Sequence, residues 1–192
     1  MIKEIVNAIQ NSIEAKNKIL GDTEVLINIE KATEEMEKAF KNGNKVLFCG
    51  NGGSAADAQH LAAELSGKFY LDREPLFAEA LHCNTSYMTA AANDYSFENV
   101  FERLVRGMGK EGDVLIGIST SGNSLNIIKA IETANKLKMI TIGLTGHDGG
   151  KMREICKYLI KIPSQDTPRI QESHILIGHI ICEIVEKNIF HT

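Results

Sequence analysis

No two cysteines of this 192-residue chain lie close together; Cys49, Cys83, Cys156 and Cys182 are scattered singly. That spacing argues against a disulfide framework or a zinc ribbon and suits reduced thiols that mostly fill the core. An excess of positive charge is missing too: 21 Lys and Arg against 25 Asp and Glu leave a formal net charge of −4. A general nucleic-acid surface is therefore not expected. The most apolar stretch, 175–185, is short and interrupted by His179 and Glu183, so no membrane span is expected. The first residues, Met1-Ile-Lys-Glu-Ile-Val-Asn, carry an early acid and no apolar signal-peptide core, which points to a cytoplasmic location. Repeats, low-complexity tracts and linkers are absent. What is present, 43% hydrophobic and 24% charged residues, is ordinary for a soluble globular chain of one-domain length.

Apolar spacing predicts amphipathic helices over 2–19 and 23–42, separated by Gly21-Asp22, with Asn42-Gly43-Asn44 as the stop. This hairpin, 1–43, can pack on the rest of the domain or on another subunit. An alternating series, 44–192, follows. Strands are expected at Val46–Cys49, 77–81, 113–118, 140–144 and 158–162. Helices are expected at about 55–68, 84–95, 97–108, 124–138, 149–154 and 169–188. Strands alternating with helices imply an α/β fold with a parallel sheet covered on both faces, whose ligands bind beyond the strand C-termini. The loops at 50–54 and 119–123 both follow strands directly and should share that edge.

Ile118-Ser-Thr-Ser-Gly-Asn-Ser124 leads from an apolar strand into a helix. Ser119, Thr120, Ser121 and Ser124 can each donate a hydrogen bond, and the first helical N–H groups lack intrahelical partners. This is an anion site without a lysine, better suited to one phosphate on a sugar than to a nucleoside triphosphate; the alternative is an N-cap beside a polar turn. Gly50-Asn51-Gly52-Gly53-Ser54 is a second such loop, whose glycines admit a ligand close to the backbone or simply make a tight turn.

On the following helix His60 and Glu64 are four residues apart, hence on one face. They can share a metal or a substrate proton, or be a surface polar pair. Glu64 lies about 15 Å along its helix from the loop, so its site is reached by the far end of a sugar or built with another subunit. The last helix offers Gln171, Glu172, His174, His179 and Glu183. His179, amid isoleucines and a leucine, reads by default as a core histidine bonded to a backbone carbonyl. Gln171 and His179 are about 12 Å apart on a continuous helix. If both serve one site, either the helix starts after Gln171 or two chains contribute. Asn93-Asp94 reads as a polar helix terminus.

In order and spacing, Cys49-Gly-Asn-Gly-Gly-Ser54, Asp57-Ala-Gln-His60-Leu-Ala-Ala-Glu64, Ala92-Asn-Asp-Tyr95, Ile118–Ser124, Leu144-Thr-Gly and Arg169-Ile-Gln-Glu172 with His179 resemble the sugar isomerase (SIS) domain. More narrowly, they resemble its sedoheptulose 7-phosphate (phosphoheptose) isomerases, over the whole chain. The resemblance implies a three-layer αβα, flavodoxin-like SIS fold with a five-stranded parallel sheet, and a homotetramer with active sites between subunits. It implies conversion of sedoheptulose 7-phosphate to D-glycero-D-manno-heptose 7-phosphate through an enediol, with Glu64 as base and His179 as acid. It implies Ser119, Thr120, Ser121 and Ser124 on the phosphate, and Asn51, Gly52, Gly53, Glu64, Asn93, Asp94 and Gln171 on the sugar. One zinc per subunit on residues matching His60, Glu64, Gln171 and His179 is also implied. So is a place at the start of nucleotide-activated heptose supply for lipopolysaccharide core, capsule or S-layer.

Two residues and one tripeptide depart from the family pattern: Lys68, Lys157 and Thr167-Pro168-Arg169, the last able to shift the start of the final helix. A related non-catalytic adaptor that associates with the replication initiator is expected to lack the Glu and the His, and both stand here. Other SIS phosphosugar enzymes show different helix residues. SIS transcription regulators carry a helix-turn-helix domain for which the N-terminal hairpin is too small.

Overall fold

A computed structural model describes residues 1–190 of the chain. The N-terminal hairpin forms as α1 (Ile2–Leu20) and α2 (Thr23–Lys41). Asp22 caps α2 by accepting the N–H of Val25 at 3.1 Å, as expected where a short acid precedes an apolar-periodic segment. The alternating part then runs β1 (Val46–Gly50), α3 (Gly53–Ser66), β2 (Ala78–Ala80), α4 (Thr85–Asp94), α5 (Val100–Met108), β3 (Val114–Ser119), α6 (Leu125–Lys136), β4 (Ile140–Thr145), β5 (Tyr158–Lys161) and α7 (Thr167–Phe190). A 3₁₀ turn at Phe97–Asn99 leads into α5, and Gly150–Glu154 is a 3₁₀ turn where the spacing predicts a short helix.

All strand pairs are parallel, in the order β2-β1-β3-β4-β5. The central strands β1 and β3 are buried at every residue, which is why they read as continuous apolar runs rather than alternations. Val46 and Phe48 point to one face, where α2, α3 and α7 cover the sheet. Leu47 and Cys49 point to the other, under α5 and α6. The result is the predicted three-layer α/β arrangement with a five-stranded parallel sheet.

One alternative left open by the sequence closes. The final helix begins at Thr167, before Gln171, and continues unbroken to Phe190; Pro168 sits in its first turn, where its missing N–H has no cost. The cysteines mostly fill the core, as expected. Cys49 and Cys182 are buried and Cys156 is partly so, but Cys83 is exposed. Burial pushes the Cys182 and Cys156 thiols up to about 12, which leaves them inert. No helix among the described residues is long and apolar enough to cross a membrane.

The hairpin packs unevenly. Helix α2 buries Val25, Ile29, Ala32, Met36 and Ala39 against the sheet and α7, whereas α1 buries only Ala15 and Ile19. Ile2, Ile5, Ile9 and Ile13 of α1 stay exposed.

Candidate active site

In this strand order the direction of winding reverses between β1 and β3, so the loops after these two strands flank a crevice at the sheet's C-terminal edge. Gly50 ends β1 where a Cβ would lie 2.3 Å from the Ser54 carbonyl oxygen, and Gly52 adopts φ 57°. Both positions need glycine for the chain to turn this tightly into α3. Across the crevice, Ser119 Oγ lies 3.0 Å from Ser124 Oγ and 3.5 Å from Ser121 Oγ. Ser124 is the N-cap residue of α6, yet its hydroxyl does not cap the helix. Gly52, at the N-cap of α3, offers no side chain for the purpose. Two helix N-termini therefore open on the crevice with no cap from the N-cap side chain, while α2 and α4 are capped by Asp22 and Asn84. Uncapped N–H groups, three clustered hydroxyls and the helix dipoles together suit an anion. Thr120 also lines a cavity of about 430 Å³ with His147, Ser164 and Gln165 on the β4 side of the loop. Ser121 and Asn123 of the same loop line that space as well.

Asn51 and Asn126 bind the two loops together. Each side-chain amide donates to the other's oxygen at 2.9 Å, and Asn126 Oδ1 also accepts the N–H of Ile127 at 3.0 Å. Asn126, buried, is absent from the sequence-derived set. Its only signal there is a polar residue just inside the helix after the serine loop.

Helices α3 and α7 lie side by side and run in the same direction, since Gly53 meets Gln171 and Leu61 meets Gly178. A Cβ on Gly178 would come within 2.5 Å of the Leu61 side chain. This glycine therefore sets how closely the helices approach. At that closest point His60 Nε2 lies 2.9 Å from His179 Nε2 and 3.1 Å from Glu64 Oε1. The three donor atoms fall within 4.8 Å of one another. His179 is thus not the core histidine that its apolar neighbours predict. That role belongs to His174, which is fully buried and donates from Nε2 to the Thr145 carbonyl at 3.1 Å. Desolvation lowers the His174 pKa to about 4, against the raising effect of that hydrogen bond.

A carboxylate and two imidazole nitrogens bring more lone pairs to one point than protons to share between them. Such a nitrogen–oxygen set could hold a metal ion, and its donor chemistry fits a borderline divalent one. Gln171 does not join the three within this chain. Its amide lies over Gly53, about 12 Å up the same helix from His179. Nor do Asn93 and Asp94 bond to either loop: Asn93 Nδ2 donates to Asp94 Oδ1 at 3.0 Å, exposed at the end of α4. Asp57, one turn before His60, is a further acid; its Oδ2 is buried without a partner, and desolvation raises its pKa against the opposing pull of His60.

The SIS domain family model matches residues 20–146, which include both crevice loops, His60 and Glu64. Over 98% of this chain and 97% of its own length, a phosphoheptose isomerase from Clostridium acetobutylicum is 55% identical. The chain belongs to the phosphoheptose isomerase family of SIS domains. Phosphoheptose isomerase 2 of Campylobacter jejuni is 56% identical over 94% of this chain and 90% of its own. Among solved structures, a phosphoheptose isomerase from Neisseria gonorrhoeae superimposes with a TM-score of 0.90 at 44% identity, covering 97% of this chain and 100% of that one. One from Francisella tularensis gives 0.92 at 36% identity, covering 97% and 98%. At 18% identity and a TM-score of 0.65, the sugar isomerase domain of a transcription factor from Sphaerobacter thermophilus shares the fold alone.

Proposed function

We propose that the protein is an aldose–ketose isomerase that converts sedoheptulose 7-phosphate to D-glycero-D-manno-heptose 7-phosphate. The observation that carries the reading is the convergence of Glu64, His60 and His179 on one point, in a chain whose relatives are phosphoheptose isomerases. The phosphate is held by Ser119, Thr120, Ser121 and Ser124 at the N-terminus of α6. The sugar runs over Asn51, Gly52 and Gly53, with Asn93, Asp94 and Gln171 on its hydroxyls. The Asn51 amide is engaged with Asn126, so Asn51 acts chiefly by fixing the loop backbone beside the ligand.

Glu64 takes the proton from C1 of the open-chain ketose. The freed electron pair forms the C1–C2 double bond while the C2 oxygen takes a proton from His179, giving the enediol. Glu64 then returns its proton to C2 as O1 loses its proton to His179, leaving an aldehyde at C1. Placed acid and base groups of this kind contribute about 10²–10⁴-fold each. His60, Glu64 and His179 would hold one zinc ion per subunit, with Gln171 of a neighbouring copy as the further ligand. When bound, the ion supplies a Lewis acid for the carbonyl. Glu64 is then shared between metal binding and proton transfer.

The phosphate loops and Glu64 stand about a helix's length apart within one chain, so a second copy completes each site in a homotetramer. Exposed Leu176, Ile180 and Ile184 on α7 flank His179, and the exposed isoleucines of α1 offer a second apolar surface. The protein acts in the cytoplasm, at the entry to activated-heptose synthesis for surface glycans. It uses neither nucleic acid nor membrane.

The test is turnover of sedoheptulose 7-phosphate by the purified protein, with and without a chelator, alongside light scattering for mass. The expected result is aldose formation by a tetramer. No turnover with zinc restored contradicts the proposal and turns attention to the non-catalytic adaptor, which pull-down with the replication initiator would then test.

A further inference from the structure

Beyond the His60–Glu64–His179 cluster, α3 ends in a polar arrangement that the isomerase reading does not use. Helix α3 stops at Ser66, and Gly67 has a φ of −101°, so no left-handed residue closes it. The last carbonyls of a helix need partners, and here one guanidinium provides them. Arg73 donates from one terminal nitrogen to the carbonyls of Leu65 (2.7 Å), Gly67 (3.2 Å) and Glu74 (3.2 Å). From the other it donates to the carbonyl of Glu64 itself, at 2.9 Å. Its Nε donates to Glu186 Oε1 at 3.0 Å. The second oxygen of Glu186 accepts the backbone N–H groups of Tyr70 (2.9 Å) and Leu71 (3.1 Å). Both side chains are almost fully buried, at 3% and 2% exposure.

Glu186 stands seven residues after His179 on α7, two turns along and on the same face. Gln171 over Gly53, Gly178 against Leu61, and Glu186 through Arg73 to Glu64 are thus successive points of attachment between α7 and α3. The first two are set by glycines that let the helices touch. The third is the ion pair, and it grips the backbone of the residue that carries the carboxylate. The same pair fixes the segment after α3, whose Phe69 ring lies 5.8 Å from the His179 ring.

We infer that Arg73 and Glu186 are positioning residues for isomerisation, a buried clamp that holds Glu64 on α3 against His179 on α7. The inference rests on the reading of Glu64 and His179 as base and acid. A buried pair tied into this many hydrogen bonds is rigid, and removing one charge strands the other. The clamp acts on the proton-transfer end of the site; the phosphate loops lie at the opposite end of α3.

The experiment is steady-state isomerisation by Glu186→Gln and Arg73→Lys, well below their melting temperatures, with circular dichroism and light scattering to confirm fold and mass. Glu64→Gln serves as the control for the reading beneath. Both variants are expected to lose at least ten-fold in kcat with KM for the sugar phosphate within two-fold. Arg73→Lys keeps the charge but not the planar fork of donors, so it should not rescue. The double variant Arg73→Met/Glu186→Gln is expected to lose less than the product of the single losses. A lower melting temperature with kcat unchanged in either folded variant overturns the inference, as does a rise in KM matching the fall in kcat. If only one variant folds, its kcat–KM split decides. Turnover retained by Glu64→Gln would instead refute the acid–base reading, whatever the clamp variants show.

Discussion

The two ends of α3 are built on opposite terms. At its start, the polar side chains of the crevice satisfy one another: Asn51 pairs with Asn126, and Ser119 with Ser124 and Ser121. That end is a preformed cradle whose donors toward a ligand are the serine hydroxyls and the backbone N–H groups at helix N-termini. Further along the helix, His60, Glu64 and His179 point lone pairs at one spot and leave them short of protons. A self-satisfied cradle suits holding a group that does not react. Unsatisfied lone pairs suit taking a proton or a metal. On the proposed reading, binding and chemistry are separated along one helix.

This contrast can be broken from either end. The largest effect is expected at the chemical end. Glu64→Gln and His179→Gln should each lower kcat by about 10²–10⁴-fold while leaving fold and mass intact; comparable kcat in either variant would remove it from the proton transfer. Gly178→Ala should follow, since its methyl would drive into Leu61. Overpacking of this kind costs about 1–3 kcal/mol, and forcing α3 from α7 should lower kcat about ten-fold together with the melting temperature; an unchanged kcat would show that helix spacing does not matter to the cluster.

At the binding end the effects are smaller and fall on KM. Asn126→Ala strands the Asn51 amide, and Ser119→Ala removes one donor, each worth about 1 kcal/mol, so KM should rise several-fold with kcat nearly constant. A loss confined to kcat would merge the two ends into one.

The smallest effect on turnover belongs to His174, which lies outside both. Its folded pKa of about 4 is below the 6.5 of an ordinary imidazole. Between these values the unfolded chain binds the proton that the folded one refuses, so stability rises with pH through that window and is full above it. Denaturant unfolding should show about 3 kcal/mol lost as pH falls from 6.5 to 4 on this account. His174→Gln should flatten that part of the profile; an identical slope in the variant would assign the acid sensitivity to other groups.

The layered sheet and its two crevice loops are legible in the sequence because fully buried strands appear as short apolar runs ending in Gly or Ser. The histidines of α7 are harder. His179 has Ile175, Leu176, Ile177, Ile180 and Ile181 around it in sequence, yet Ile177 and Ile181 face the core while Leu176 and Ile180 face outward. An apolar stretch on both faces hides which histidine is inside. The unbroken start of α7 is obscured by Pro168, which reads equally as a helix stop or a first-turn residue. The Arg73–Glu186 and Asn51–Asn126 pairs join residues 113 and 75 positions apart, and no local pattern marks such partners. Gly178 reads only as a weak point in a helix until Leu61 is seen against it.

The most direct test of the separation is isomerisation in deuterium oxide, followed by NMR at C1 and C2 of the heptose phosphates, for the unaltered protein and for Glu64→Gln loaded with the same substrate. The account predicts deuterium appearing at C2 of the aldose with the unaltered protein, and no exchange with Glu64→Gln although it still binds the sugar phosphate. Exchange by Glu64→Gln at a rate near that of the unaltered protein would contradict it.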